Sequence, residues 1–117
     1  MSLTRLKRGK EGEKLAINYL KGLNHQILST NFKTKFGEID IISAKNDYLY
    51  FIEVKTRSNI ARGMPYEAID DNKISKIKKS AGVFLLKKNF YKYKLKVSAI
   101  SIILEENKLD FWEDIES

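Results

Sequence analysis

The sequence predicts an α/β fold, a mixed central β-sheet flanked by helices in the order α-β-β-β-α-β-β. Two segments, residues 6–23 and 66–88, carry apolar residues at the spacing of an amphipathic helix. Five shorter runs are rich in β-branched and aromatic residues and are bounded by turn-forming residues, as strands are. Since each element must bury an apolar face, we expect helices packed on a sheet. A chain of 117 residues suits one domain, residues 1–117.

A strand-turn-strand pattern covers residues 36–57, with turn-forming residues at Asn46 and Asp47. If these two residues form the centre of the turn, the numbers of paired residues sum to 93 along the whole hairpin. Asp40 then lies directly opposite Glu53.

The same register places Glu38 opposite Lys55, and the two-residue period of a strand puts these side chains on one face with Asp40 and Glu53. Directly opposed residues have Cβ atoms about 5 Å apart, where like charges destabilise a sheet. We therefore expect a cation between Asp40 and Glu53, with a lysine beside it. The other face is predicted to be a packing surface of Ile39, Ile41, Tyr50, Ile52 and Val54.

A bulge or a longer loop would shift this register and leave the same charges solvated on a half-exposed sheet. Apolar residues on the charged face argue against that alternative, because they predict a face that is covered at one end and opens into a cleft at the other. These residues are Ile42, Leu49 and Phe51.

The first predicted helix places Glu13 at the edge of its apolar face, whereas Glu11 points away. An inward carboxylate needs a partner, because an unpaired buried charge is costly. Glu13 therefore either belongs to the cation site or is a boundary residue that reaches solvent or a lysine. Gly9, on the same side of the helix, would permit close approach of another backbone.

His25, the one histidine, lies between this helix and the first predicted strand, residues 26–32. We expect it to be a surface or capping residue. The chain excludes a His-rich zinc site and, having no cysteine, excludes thiolate metal sites and disulfides. No apolar run approaches the roughly 20 residues of a membrane span, so we expect a cytoplasmic protein with no membrane contact.

Charge is distributed unevenly along the chain. The formal net charge is +7, but residues 1–104 contain 21 Lys and Arg against 9 Asp and Glu, whereas residues 105–117 contain 1 against 6. A basic body favours a polyanion, most often nucleic acid, through phosphate contacts and counterion release. A lysine-rich surface that only keeps a protein soluble would give the same composition, so both interpretations remain open.

Basic side chains follow the hairpin at two places. Arg57 and Arg62 belong to the loop region close to the predicted carboxylates, and Lys73 and Lys76 lie off the apolar stripe of the second helix. Each pair either contacts phosphates or is simply solvated. An aromatic and lysine run at residues 90–94 could likewise stack on single strands, but we favour aromatics packed inward with lysines facing water, ahead of strands at 95–104 and 109–112.

The combination of Glu13, Asp40 and Glu53-Val54-Lys55 resembles the core of PD-(D/E)XK nucleases, which have the restriction-endonuclease-like fold. Its helix glutamate is similar to that of archaeal Holliday-junction resolvases. Over residues 9–103 the chain also resembles the YraN-like family of small bacterial proteins, through blocks of sequence in the same order. These blocks are Gly12-Glu13, the run from Asn31 through Gly37-Glu38-Ile39-Asp40, Phe51-Ile52-Glu53-Val54-Lys55-Thr56-Arg57-Ser58 and Gly63-Met64-Pro65-Tyr66-Glu67-Ala68-Ile69.

The resemblance implies an endonuclease that uses Mg²⁺ or Mn²⁺ to hydrolyse phosphodiester bonds in nucleic acid, in structured or branched DNA rather than RNA. Hard cations prefer carboxylate oxygens, which this chain offers. Asp40 and Glu53 would bind the metal, with the Val54 carbonyl as a further ligand and Glu13 bound directly or through water. Lys55 would activate water or stabilise the transition state, and Glu38 would support the ligands or hold Lys55.

Two alternatives remain beside the enzyme: a non-catalytic nucleic-acid-binding module of the same fold, and a domain whose basic face docks an acidic protein. A homodimer would be needed to cut both strands of a junction. Two positions depart from the pattern of the resembled proteins. Ile39 replaces the proline of the PD pair, and Ser98 stands where relatives carry an acid, so any contribution from that acid is missing.

Overall fold

The computed structural model describes residues 3–87, 89–90 and 92–116, with side chains from residue 7 onward. Its elements follow the predicted order α-β-β-β-α-β-β, and the predicted fold class is confirmed. Two short 3₁₀ helices, Pro65–Ala68 and Leu104–Glu106, lie in the connections. The main elements are α1 (Leu3–Gly22), β1 (Gln26–Thr34), β2 (Gly37–Lys45), β3 (Tyr48–Arg57), α2 (Asp71–Lys87), β4 (Lys94–Ile103) and β5 (Lys108–Trp112).

The five strands form one sheet in the order β1-β2-β3-β4-β5. Neighbouring strands are antiparallel except for β3 and β4, which are parallel and are joined by the crossover that contains α2. A parallel pair requires such a crossover, because its strands begin at the same edge of the sheet. No helix in the described ranges is long and apolar enough to span a membrane.

The hairpin of β2 and β3 has the predicted register. Asn46 adopts a left-handed conformation (φ 54°) in the turn, as a two-residue hairpin loop requires. The recorded pairs run from Lys45 opposite Tyr48 to Ile41 opposite Ile52, and each pair of numbers sums to 93. The ladder ends there, before it reaches Asp40 and Glu53.

Two apolar layers cover the two faces of the sheet. The layer beneath α1 includes Ala16 and Leu20 of the helix, packed on Ile41, Tyr50, Ile52, Ile100 and Ile102. The layer beneath α2 includes Ile77, Ala81 and Phe84, packed on Ile39, Ile42, Ala44, Leu49, Phe51 and Val97.

Ile39 and Ile41 therefore lie on opposite faces, and the prediction that they share one face is wrong. The chain turns over between them. In β1, Phe32 pairs with Ile39 and Thr30 pairs with Ile41, while Asn31, which lies between them, has φ 52°. A left-handed residue breaks the alternation of a strand, so this irregularity reverses the faces on either side of Asp40.

The second helix begins later than predicted, at Asp71 instead of residue 66. Residues Pro65–Ala68 form a separate 3₁₀ helix, and Ile69, its C-cap, is extended. Asp70 Oδ1 accepts a hydrogen bond from the Lys73 backbone N–H at 2.8 Å, so a side-chain cap starts the new helix. The predicted end at residue 88 lies outside the described residues.

Packing explains the aromatic run before β4. Phe90 stacks on Phe84 with ring centroids 5.6 Å apart, and Tyr93 meets Phe90 edge to face at 5.4 Å. The inward interpretation is confirmed for these two residues, and Tyr91 is not among the described residues.

Candidate active site

A cavity of about 610 Å³ opens where β2 and β3 separate. Four elements and a 3₁₀ helix contribute to its wall: α1, β2, β3, Pro65–Ala68 and α2. Most of the residues singled out in the sequence therefore meet in one place. The charged side chains that line the cavity are Arg8, Lys10, Glu13, Glu38, Asp40, Glu53, Lys55, Arg57 and Lys73.

Asp40 lies in the opening between the two strands. Its Oδ2 accepts a hydrogen bond of 2.7 Å from the backbone N–H of Val54. Continuation of the hairpin register would have paired Val54 with Ile39, so the carboxylate takes the position of a strand partner. A hydrogen bond to an ionised acceptor is short and strong, and it fixes the Asp40 side chain against β3.

Glu53 is buried, with 4 % of its surface exposed. Lys73 Nζ lies 3.3 Å from Oε2 and Lys55 Nζ lies 3.9 Å from Oε1. Oε2 has no hydrogen-bond partner in the described part of the chain, so the contact with Lys73 is an ion pair without hydrogen-bond geometry. A buried carboxylate with an oxygen that lacks a hydrogen bond is stabilised when a further cation binds to it.

Like charge raises the pKa of one member of the carboxylate pair. Burial, the negative charge of Glu53 and a hydrogen bond with Glu53 together raise the pKa of Asp40 to about 7, against the opposing effects of the Val54 N–H and of Lys73. The two carboxyl groups are therefore close enough to share a proton. The register predicted these two residues directly opposite each other in the ladder, whereas they interact beyond its last pair, where the strands have separated.

Glu13 lies near enough to Asp40 to interact with its charge, but its hydrogen-bond partner is Asn31. Asn31 Nδ2 donates a hydrogen bond of 3.1 Å to Glu13 Oε1. Burial raises the pKa of Glu13, and the charges of Asp40 and Glu38 raise it further, while the Asn31 hydrogen bond lowers it. Across the described ranges, no three acidic or histidine side chains are grouped tightly enough to hold a metal ion together.

Close packing of α1 on β3 positions Glu13. A Cβ added to the buried Gly12 would overlap the side chain of Thr56, so only glycine lets the helix approach the strand this far. No atom comes within 4 Å of the corresponding position at Gly9. The predicted close approach is real, but its residue is Gly12 and not Gly9.

Three arginines line a second cavity of about 310 Å³ beside the first. Arg8 Nη1 donates a hydrogen bond of 3.1 Å to Ser58 Oγ, and the buried Nε of Arg57 has no partner among the described residues. Arg62 completes the group, and Arg8 and Arg57 also line the larger cavity. Arg57 and Arg62 were predicted from the sequence, whereas Arg8 was not, because no pattern along α1 relates it to a loop 50 residues away.

The two predicted helix lysines have different positions. Lys73 lies within the carboxylate site, and sequence reasoning assigned it only to a flank. Lys76 is exposed near Gly37, and the residues that line the two cavities do not include it. Glu38 lines the larger cavity and pairs across the sheet with Lys33, while Lys55 lies against Glu53.

Two other polar residues lie outside the cavity wall. Ser98 is buried beside Ile52 and donates a hydrogen bond of 2.6 Å to the carbonyl of Glu113, so it fastens the chain after β5. His25 is buried, and the expectation of a surface position is wrong. Its Nδ1 lies 2.9 Å from Ser43 Oγ and its ring packs against aromatic rings of the α1 layer, because the turn after α1 folds back onto the sheet.

The fold and the cleft together define a class: a small α/β protein with a carboxylate pair and a lysine where two strands of a mixed sheet separate. Residues 12–104 match the uncharacterised protein family UPF0102, and the chain belongs to that family. This confirms the resemblance to the YraN-like family.

Relatives match over most of their length. A UPF0102 protein of Caldanaerobacter subterraneus is 42 % identical over 101 residues, which cover 86 % of this chain and 83 % of the relative. One of Dictyoglomus thermophilum is 42 % identical over 106 residues, 90 % of each chain, and one of Clostridium novyi is 40 % identical over 103 residues, 88 % of this chain and 86 % of the relative.

Proposed function

We propose that the protein is a metal-dependent endonuclease that hydrolyses phosphodiester bonds in structured or branched DNA. One observation carries the proposal: the carboxylates of buried Glu53 and half-buried Asp40, with Lys55 beside them, face an open cavity large enough for a phosphodiester. A purely structural ion pair would be satisfied within the protein, whereas this one has an unbonded Glu53 Oε2 and a like-charged neighbour.

The residues present fit Mg²⁺ or Mn²⁺. Both cations prefer oxygen ligands, and Asp40 and Glu53 supply carboxylates that repel each other without a cation. The carbonyl of Val54 is a further candidate ligand, and Glu13 would act through water. A bound metal ion would supply polarisation of the phosphate and a more acidic water.

The protein's own groups would position the substrate and stabilise charge. Lys55 has a side chain 34 % exposed to the cavity, where it would donate to the attacking water or to a phosphate oxygen. Lys73 neutralises part of the Glu53 charge at 3.3 Å. Glu38, on the cavity wall, would limit the positive potential around Lys55.

The arginine cavity supports a nucleic-acid substrate. Arg8, Arg57 and Arg62 border the carboxylate cleft, where guanidinium groups can grip backbone phosphates in a bidentate manner. Phosphate contacts position a strand without reading its sequence, which agrees with the basic body of the chain. Pairing of two chains would be required to cut both strands of a junction.

A cleavage assay tests the proposal. Purified protein with Mn²⁺ or Mg²⁺ is given labelled single-stranded, duplex, flapped and four-way DNA, and RNA. We expect metal-dependent cleavage of DNA that falls by about 100-fold or more in Lys55→Ala, because a charge-stabilising donor is lost. Lys108→Ala is the matched control, since Lys108 also lies 3.9 Å from an acid, Asp110, but not in the cavity wall.

Failure to cut any of these substrates with either metal would refute the proposal. Equal cleavage by Lys55→Ala and the unaltered protein would also refute it, because the activity would then come from a contaminant.

One observation favours the second candidate, a nucleic-acid-binding module without catalysis. Lys73 already lies at Glu53, and no third acid of the described chain joins the pair. This candidate requires salt-sensitive binding of DNA that survives Asp40→Ala and Glu53→Ala without cleavage. The third, a domain that docks an acidic protein, requires no binding to DNA or RNA at physiological salt.

A further inference from the structure

Two exposed aromatic side chains form a surface pair outside both cavities. The rings of Tyr66 and Trp112 have centroids 5.2 Å apart and an interplanar angle of 38°. Tyr66 is 40 % exposed and Trp112 is 42 % exposed, so each keeps a large part of its ring in solvent. An exposed pair of this kind is a common form of nucleobase platform, because every base has a face that stacks on an aromatic ring.

The register of the sheet relates this pair to the carboxylate cleft. Glu53 pairs with Ala99 across β3 and β4, and Ala99 pairs with Trp112 across β4 and β5. Directly paired residues project from the same face, so Trp112 and Glu53 share a face. With neighbouring strands about 4.8 Å apart, the two backbone positions are separated by about 10 Å.

The Pro65–Ala68 helix connects the two sites physically. Pro65 and Ala68 line the carboxylate cavity, while Tyr66, which follows Pro65, contacts Trp112. The small, buried side chains of Ala99 and Ser101 leave room for this helix above β4. The cleft and the aromatic pair are therefore two ends of one surface.

Three acids adjoin the aromatic pair in the sequence, and each has a partner or lies on the other face of the sheet. Glu67 Oε2 accepts a hydrogen bond from the Met64 N–H at 3.2 Å, and Asp110 pairs with Lys108. Burial and then the charge of Glu113 raise the pKa of Tyr50, which belongs to the α1 layer, so the Glu113 carboxylate lies on the opposite face from Trp112.

We propose that Tyr66 and Trp112 form a stacking platform for an unpaired base of the DNA strand whose phosphate occupies the carboxylate cleft. This inference rests on the proposed function, which supplies DNA as the ligand. It deepens that function by naming an unpaired base as the feature of the substrate that is recognised. The separation of about 10 Å corresponds to about three nucleotides at the B-form rise of about 3.4 Å, and to fewer in an extended strand. A base in an intact duplex hides its faces in the stack, so a single-stranded segment or a flap fits, and a blunt duplex does not.

The chain contains one tryptophan, so fluorescence reports on the platform directly. The full-length protein is titrated with oligo(dT), with a flapped duplex and with a blunt duplex in EDTA, where no cleavage occurs. We expect oligo(dT) and the flap to quench Trp112 and to bind at least about fivefold more tightly than the blunt duplex. Stacking is worth a factor of about 5 to 140 per base, so Tyr66→Ala and Trp112→Leu should weaken oligo(dT) binding by that factor in fluorescence anisotropy of a labelled strand.

Tyr19→Ala is the matched control. Tyr19 is 39 % exposed and also contacts an aromatic ring, Phe111, but it lies on α1 and not beside the cleft. It should bind oligo(dT) as the unaltered protein does. Circular dichroism and the urea midpoint establish that each variant is folded.

Unquenched Trp112, or equal affinity of the two platform variants and Tyr19→Ala for oligo(dT), would overturn the proposal. A change of oligomeric state in Tyr66→Ala without a change in DNA binding would also overturn it, since a second copy of the chain would then cover the pair. A protein that quenches but never cuts DNA would refute only the nuclease function, because the binding measurements require no metal.

Discussion

Two buried polar clusters lie in this fold, and they differ in what surrounds them. His25 contacts Ser43 and is enclosed by the rings of Tyr50 and Phe111, whereas Asp40 and Glu53 face a cavity of about 610 Å³. Each cluster contains a buried polar atom without a hydrogen-bond partner in the described chain, Nε2 of His25 and Oε2 of Glu53.

Burial acts on the two clusters in opposite directions. It lowers the pKa of His25, with a further lowering by Lys45, so the ring stays neutral and tolerates its apolar surroundings. It raises the pKa of Asp40, and Glu53 raises it further, so the pair retains an unfavourable interaction that a cation would relieve. An unbonded polar atom therefore indicates a ligand site only where charge and an open cavity accompany it.

The largest expected effect is on catalytic activity, which should depend on the Asp40 and Glu53 cluster and not on the His25 cluster. Asp40→Asn keeps an acceptor for the Val54 N–H but loses the charge, and it should reduce kcat/KM for DNA cleavage by about 100- to 1,000-fold. His25→Gln should change it by less than about threefold. Steady-state kinetics on the best DNA substrate measures both. A comparable loss in His25→Gln would mean that the enclosed cluster also supports the reaction.

Stability should change in the opposite sense. His25→Ala leaves a cavity among rings and an unpaired Ser43 hydroxyl, so it should lower the free energy of unfolding by about 2–4 kcal/mol. Asp40→Asn should raise it by about 1–3 kcal/mol at pH 8 in EDTA, because it removes the repulsion of Glu53. Urea unfolding measures both, with Asp47→Asn in the exposed turn as a control that should not change. Destabilisation by Asp40→Asn at pH 8 would contradict this account.

The pH dependence of stability should also distinguish the clusters. The pKa of Asp40 is raised, so between about pH 4 and pH 7 the folded state holds a proton that the unfolded state has lost, and stability falls as pH rises, by at most about 1.4 kcal/mol per unit. The pKa of His25 is lowered, so its contribution is lost as pH falls below the ordinary value of about 6.5. Urea unfolding in EDTA from pH 5 to 8 should show the first slope removed by Asp40→Asn and the second removed by His25→Gln. An unchanged pH profile in Asp40→Asn would show that its carboxyl titrates normally.

The smallest expected effect concerns Glu13. Glu13→Gln and Asn31→Gly should each raise the Mg²⁺ concentration for half-maximal cleavage by about tenfold, because Asn31 holds the carboxylate that would orient metal-bound water and glycine keeps the left-handed backbone of residue 31. The measurement is a Mg²⁺ titration of the cleavage rate. A loss in Glu13→Gln as large as that in Asp40→Asn would make Glu13 a direct ligand.

Much of the hairpin could be predicted because its rules are local. A two-residue turn at Asn46 and Asp47 determines the register as far as Ile41 and Ile52, the pair next to Asp40 and Glu53. The reversal of faces at Asp40 could not be predicted in the same way. It depends on the left-handed Asn31 of a neighbouring strand, and the sequence of β2 carries no sign of it.

Contacts between distant elements were the other source of error. Lys73 reaches Glu53 only because the later start of α2 and the crossover place it over the cleft. Arg8 joins the loop arginines for a similar reason, since α1 packs across β3. Residue type identified both as basic, but tertiary packing determined which of the chain's lysines and arginines lie in the site.

Gly12 determines how far α1 stands from the sheet, because any side chain there would overlap Thr56. Glu13 is the next residue, so the reach of its carboxylate toward Asp40 depends on that separation. A larger residue at position 12 would change none of the charged residues of the cleft. It would nevertheless move the Glu13 carboxylate away from Asp40. The spacing between two layers of the fold is thus itself a requirement of the proposed chemistry, and a residue without a side chain supplies it.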